Sequence, residues 1–344
     1  MKGVRGALLC VAAASAVLAA DKMLITGAGA TFPFPLYSKW FSDYNKQHPE
    51  VQINYQSIGS GGGIKQITER TVAFGASDAP MTDDEMARAS GIQHIPTVLG
   101  AVVVVYNVPG LSGLKLTPET LSGIFLGRIT KWNDPALAHD NAGAKLPDSS
   151  IAVAHRSDGS GTTAIFTDYL SKVSPAWKSG PGAGKSVNWP TGLGGKGNEG
   201  VTGIVKQTHG SIGYVELAYA NQNKLEVAEL RNHDGKFVKP SIETVSAAGE
   251  KVALPDDYRV SITDAPGASA YPISAFTYLL VYKDQPDAAK GEALVRFLWW
   301  AIHDGQKLAA ALDYAPLPAS AVAKVERTLS ALTVQGKRVL ATSK

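Results

Sequence analysis

AVVVVYN, residues 101–107, is a continuous run of β-branched and aromatic residues with no polar alternation. Such a run suits a strand buried on both faces, as in the parallel or mixed sheets of α/β proteins. A second run, FTYLLVY at 276–282, answers it far downstream. If both are crossing strands, the chain leaves a first lobe near residue 98, builds a second, and returns near residue 271 to complete the first. The expected division is a leader at 1–20, a discontinuous first lobe of 21–97 plus 271–344, and a second lobe of 98–270.

The flanking sequence fits an α/β class. PLYSKWFSDY (35–44) has helical amphipathicity with proline in its first turn, VQINYQ (51–56) is strand-like, and IKQITER (64–70) is a short helix. VAFGASDAP (72–80) ends in a turn that holds Asp78. Helix is expected over 288–312 and 319–332, packing on the N-terminal half. Strand, loop and helix alternate in this way in α/β architectures.

Three Gly- and Ser/Thr-rich clusters each precede a helix-like stretch: GAGATF (27–32), GSGGG (59–63) and DGSGT (158–162). The first N–H groups of a helix lack internal partners and carry partial positive charge, so anions settle there. Glycine lets backbone approach a ligand closely, and hydroxyls add adjustable donors. Any one cluster is equally read as an N-cap or turn. Together they point to a shared site for a tetrahedral oxyanion.

At the amino terminus, Lys2 and Arg5 precede an apolar stretch from Ala7 to Leu18 and then small residues, the layout of a cleavable secretory signal ending at Ala19 or Ala20. No segment approaches the roughly 20 apolar residues of a spanning helix. Cys10 is the only cysteine and falls inside that signal, so the exported chain is expected to carry no thiol or disulfide. Leu9 before Cys10 does not suit a lipid anchor. Cleavage removes Lys2 and Arg5, so 33 basic residues become 31 against 30 acidic. These charges are scattered rather than gathered in a stripe, which argues against nucleic acid. The remaining 324 residues, in a chain that is 44% hydrophobic and 18% charged, suit a globular protein of two domains.

The motifs GAGATFPFPLYSKW, GSGGGIKQI, FGASDAP, FLGRITKWNDP, RSDGSGTT, LGGKGNEGV, GSIGYVE and DYAPLP, in that order over about residues 24–320, resemble the phosphate-binding proteins of high-affinity phosphate ABC transporters. The resemblance implies a two-lobed periplasmic binding protein fold, type II-like, with the ligand cleft between lobes joined by two hinge crossings. It implies a receptor that takes inorganic phosphate in the periplasm and delivers it to a membrane permease and its ATPase. Neither catalysis, cofactor, metal nor nucleic acid is implied, and a monomer is expected.

Carried onto this chain, the resemblance places Thr31 and Phe32 in the first ligand loop and Ser60 in the second. Arg156, Ser160, Gly161 and Thr162 supply the third, with the guanidinium fork on two oxygens and Asp158 orienting Arg156 by an ion pair. Gly61 departs from the pattern, since many members carry serine there. Its hydroxyl is missing but its backbone N–H remains. Asp78 is an odd neighbour for an anion and makes sense as an acceptor. Phosphate, with a second pKa of roughly 7 against about 6 for phosphoserine, keeps a proton to donate, whereas sulfate leaves the carboxylate facing bare anionic oxygen. Without the resemblance, Asp78 reads as a turn residue.

Other readings carry less. The seven histidines show no metal-ligand spacing. GAGATF lacks the third glycine of a dinucleotide fingerprint, and Ser160 does not sit in G-x-S-x-G. GLGGKGNEG (192–200) reads as a structured loop or a plain linker, and Trp299-Trp300 as core. Sulfate, molybdate or tungstate receptors are the alternatives within binding proteins. A secreted phosphomonoesterase is the alternative from another class.

Overall fold

A computed structural model describes residues 22–250 and 252–340. The leader, including Cys10, lies outside the described residues. Among those residues a nine-stranded sheet organises the chain. Strand β1 (Met23–Gly29) runs parallel to β2 (Val51–Ser57) and to β3 (Phe74–Ser77). The opposite end is built from the parallel strands Ala152–Arg156, Leu193–Gly195 and Ser211–Glu216.

The 16-residue strand β4 (Ile92–Asn107) joins the two ends. From Ile92 to Ala101 it pairs antiparallel with Ser274–Tyr282, and from Val102 to Asn107 antiparallel with Ser211–Glu216. The AVVVVYN run is therefore only the second half of one long element. Its first half carries no such run, because Gln93, His94, Pro96 and Thr97 interrupt the apolar pattern. Each is accommodated individually. Thr97 is skipped in the register between Thr277 and Tyr278, a bulge beside a proline that has no N–H to give the ladder. Its hydroxyl lies 2.7 Å from Tyr37 Oη and donates to the Thr277 carbonyl at 3.1 Å. The buried His94 accepts from Met81 N–H at Nε2, 3.0 Å away.

Helix α1 (Phe34–Gln47) buries Leu36, Tyr37, Trp40, Phe41 and Tyr44, the spacing expected of an amphipathic helix. Phe41 and Tyr44 pack on Phe297 and Trp300 of the helix Ala288–Ala301, so the C-terminal segment does return onto the N-terminal half. That helix stops at Ala301 rather than reaching Leu312. Beyond Ile302 the chain continues as short 3-10 turns, Asp304–Leu308 and Ala310–Leu312. The break lets Gly305 slide under Trp40, which donates its indole N–H to the Gly305 carbonyl at 2.8 Å. A Cβ on Gly305 would stand only 3.2 Å from the indole.

GLGGKGNEG is neither loop nor linker. It forms the edge strand Leu193–Gly195 and the first turn of the helix Gly197–Gln207. Gly195 and Gly200 lie close enough that side chains could not separate them.

Candidate functional site

Four strand-to-helix junctions meet at one place. β1 leads through Thr31 and Phe32 into α1, and β2 leads into helix α2 (Ser60–Thr68) through Gly59, whose φ of +87° is glycine's own territory. Ala152–Arg156 leads into the helix Gly161–Val173, and Leu193–Gly195 into Gly197–Gln207. Each junction points helix N–H groups and positive dipole ends toward a common point. Thr31, Phe32, Ser60, Asp78, Arg156, Ser160 and Thr162 are all nearly or fully buried there.

The two ends of the sheet touch across this point. Gly61 N–H donates to the Gly159 carbonyl at 2.8 Å. The N–H expected to stay available beside the ligand is thus engaged by the facing loop. A Cβ on Gly61 would lie 3.2 Å from Gly159 Cα, so the missing side chain is part of how closely the loops approach. Gly161 packs against Ser60 Oγ and, at 2.5 Å from its missing Cβ, Asp78 Oδ2. Ser160 caps its helix by accepting from Thr163 N–H at 3.0 Å.

Asp78 follows β3 and is 2% exposed. Thr277 donates to its Oδ1 at 2.8 Å, and Ser60 donates to Oδ2 at 3.4 Å while accepting from the Asp78 N–H at 3.2 Å. Burial pushes the carboxyl up to about 7, against the opposing pull of the Thr277 hydrogen bond, the Arg156 charge and the Ser60 hydrogen bond. Near neutral pH this group both holds and gives up a proton.

Arg156 meets Asp158 with two parallel hydrogen bonds, Nε to Oδ1 at 2.7 Å and Nη2 to Oδ2 at 2.5 Å. The expected ion pair is present, and it occupies one edge of the guanidinium fork. Nη1 donates to Thr162 Oγ1 at 3.3 Å. Burial works to raise the Asp158 carboxyl, but Arg156 and the Gly197 N–H hold it below its ordinary range.

Asn198 was missed by sequence reading. Fully buried at the start of its helix, it donates from Nδ2 to Thr31 Oγ1 at 2.7 Å and to Thr162 Oγ1 at 3.1 Å, linking the first and third loops. Its Oδ1 accepts from Glu216 N–H at 2.9 Å. A signal did exist, since it sits in a Gly-rich stretch directly before a helix, as the other clusters do. Thr277 gave no signal, being one hydroxyl in an apolar strand. Two tyrosines support the first loop from behind: Tyr219 donates to the Thr31 carbonyl and Tyr314 Oη lies on the Phe32 carbonyl, both at 2.6 Å.

Among the described residues no group of three or more His, Cys, Asp or Glu gathers to hold a metal, and no helix is long and apolar enough to cross a membrane.

Residues 12–302 match the family model described as a PBP superfamily domain. The chain is 47% identical over 328 residues to the phosphate-binding protein PstS of Pasteurella multocida, covering 94% of both chains. This chain belongs to the PstS phosphate-binding protein family. Within it, the PstS of Xylella fastidiosa strain 9a5c is 48% identical over 306 residues, covering 88% of this chain and 84% of that one. Family membership makes it a solute-binding protein of a transport system.

Solved structures share the fold at lower identity. A periplasmic phosphate-binding protein, PfluDING, bound with phosphate, superposes with a TM-score of 0.73 at 22% identity, covering 89% of this chain and 93% of that one. An ABC-type phosphate transport receptor from Vibrio cholerae gives 0.57 at 20%, covering 86% and 100%. The fold is thus the two-lobed α/β periplasmic binding protein fold.

Proposed function

We propose that this chain binds inorganic phosphate between its two lobes in the periplasm and delivers it to a membrane ABC permease and its ATPase. The observation that carries the reading is Asp78, a buried carboxyl that accepts from Thr277 and Ser60, set among helix N-termini and beside Arg156. An oxyanion that still owns a proton satisfies both kinds of group at once. In this assignment Thr31, Ser60, Ser160 and Thr162 offer hydroxyls, Phe32 and Gly161 offer backbone N–H groups, and Arg156 offers the guanidinium edge that Asp158 leaves free. Asp78 accepts the ligand's proton.

The lobes are assigned as residues 21–97 with 271–344, and 98–270. β4 near residue 98 and the chain entering Ser274–Tyr282 near residue 271 are the hinge crossings. The receptor acts as an exported monomer without catalysis.

Calorimetric titration of phosphate-stripped protein with phosphate, sulfate and molybdate at one pH and ionic strength tests the reading. Tight one-site phosphate binding with sulfate silent is the expected result. Equal binding of sulfate would reassign the protein as a general oxyanion receptor. Release of chromophore from a phosphate ester, abolished by Ser160→Ala, would instead make it an enzyme.

A further inference from the structure

Glu216 is a fully buried carboxyl outside the proposed ligand set, placed where the strand Ser211–Glu216 enters the helix Leu217–Gln222. Capping that helix uses one oxygen: Oε2 accepts from Ala218 N–H at 2.9 Å. Oε1 has no hydrogen-bond partner among the described residues. The cap therefore leaves unexplained why an acid, and a long one, stands here.

The explanation lies in counting protons at Tyr314. Its Oη is 2.6 Å from the Phe32 carbonyl and 2.9 Å from Glu216 Oε2. A phenol has one proton, and a carbonyl can only accept, so the shorter contact takes it. Tyr314 then turns a lone pair toward Glu216. One phenol proton shared over both acceptors would leave each contact half-bonded, whereas a proton on Glu216 Oε2 lets Glu216 donate to Tyr314 while Tyr314 donates to the Phe32 carbonyl, giving each contact a proton of its own. The groups facing Glu216 agree. Asp313 beside Tyr314 and Asp78 across the site both oppose a second negative charge, Tyr219 and Tyr314 are phenols, Glu199 lies beyond Tyr219, and Arg156 is the cation, already paired with Asp158. Burial pushes the acid well above its ordinary range.

We infer that Glu216 is held as a neutral acid and is a positioning residue for the first ligand loop. Through Tyr314 it fixes the Phe32 carbonyl, and the helix it caps carries Tyr219, whose hydroxyl fixes the Thr31 carbonyl. The two peptides flanking Phe32 are thereby gripped from behind, and the Phe32 N–H is aimed at the anion. Tyr314 is itself anchored to β4, since its neighbour Ala315 exchanges both backbone hydrogen bonds with Leu99. The link Glu216 to Tyr314 to Phe32 thus ties the second sheet end to the first loop at the crossing. Neutrality matters because a carboxylate here would repel the ligand it helps to place. The inference rests on the phosphate reading for its purpose, though not for its protonation state.

Infrared difference spectroscopy near neutral pH, in an Asp78→Asn background so that Asp78 contributes nothing, tests the proton. The carbonyl stretch of a protonated carboxyl should be present and should vanish on adding Glu216→Gln. No such band would overturn the inference. Phosphate titration tests the positioning: Glu216→Ala and Tyr314→Phe should each weaken binding roughly tenfold, as loss of a buried hydrogen bond does, with Glu216→Gln rescuing much of it. The ratio of wild-type to Glu216→Gln affinity cancels the titration of phosphate and of Asp78, and should stay constant from about pH 6 to 8. A ratio that changes across that window, or wild-type affinity in Tyr314→Phe, would overturn it. Should the band appear in the Asp78→Asn background and vanish with Glu216→Gln while the wild-type protein binds no phosphate, the phosphate reading falls while the protonated Glu216 stands.

Discussion

Asp78 concentrates two opposing demands in one side chain. In the ligand-free protein its carboxyl is pushed from 3.8 up to about 7. The folded state then holds a proton that the unfolded chain has released, so this group favours folding below about pH 4 and loses that contribution as the pH rises to about 7. A shift of some three units corresponds to about 4 kcal/mol. Asp78→Asn removes the titration. Denaturant unfolding of ligand-free wild-type and variant protein at a series of pH values should show the variant gaining relative stability up to about pH 7 and levelling off above it. A flat difference would mean the carboxyl is ionised throughout. The same change should relax ligand choice: Asn can donate to a bare anionic oxygen, so phosphate preference over sulfate should fall by about tenfold or more, the equivalent of at least 1.4 kcal/mol. Competition calorimetry reads that directly, and unchanged discrimination would remove Asp78 from the recognition chemistry.

At the scale of elements, the site depends on how closely helix ends can approach, and glycine sets that limit. Gly161 begins one helix while packed on Ser60 and Asp78 from the other end of the sheet. In the proposed two-lobe arrangement, a methyl there collides with Ser60 Oγ and Asp78 Oδ2 only on closure. Gly161→Ala should therefore weaken phosphate about ten- to hundredfold, in line with the 1–3 kcal/mol typical of overpacking, while leaving the unfolding midpoint of the ligand-free protein little changed. A large loss of ligand-free stability would show that the contact lies within one folding unit. Gly-rich clusters of this kind were legible in sequence because turn chemistry and helix starts are local. The second half of β4 was legible for the same reason, its β-branched run needing no context. What sequence could not show is long-range pairing. Thr277 reaches Asp78 from 199 positions away, and Tyr314 reaches Phe32 from 282 away. The first half of β4 stayed hidden because His94 and Thr97 find their partners in Met81, Tyr37 and Thr277, which only the folded chain brings near.

For the whole molecule, side chains join the two lobes proposed above, residues 21–97 with 271–344 and residues 98–270. Lys185 meets Glu85 at 2.9 Å with both side chains about four-fifths buried, and the Lys185 carbonyl accepts from Ser160 N–H at the site itself. Arg259 reaches Met81 O at 3.1 Å and Asp83 at 2.6 Å, while the neighbouring Ser261 and Thr263 bond Asp168 and Lys172 on the helix Gly161–Val173. If the lobes open as proposed, the Lys185–Glu85 and Arg259–Asp83 pairs form on closure, so their loss acts on the closed population rather than on the fold. A single ion pair that keeps some exposure, as Lys185–Glu85 does, is worth on the order of 1 kcal/mol. Lys185→Ala should accordingly speed phosphate release by about two- to fivefold, with the association rate nearly unchanged, as stopped-flow displacement would measure. The difference from wild type should shrink with added salt, because the remaining exposure lets ions screen the pair. A release rate equal to wild type at low salt would mean that closure is held by the loop contacts around Gly61 and Gly161 alone. A change in association rate instead would place Lys185 on the entry path of the anion.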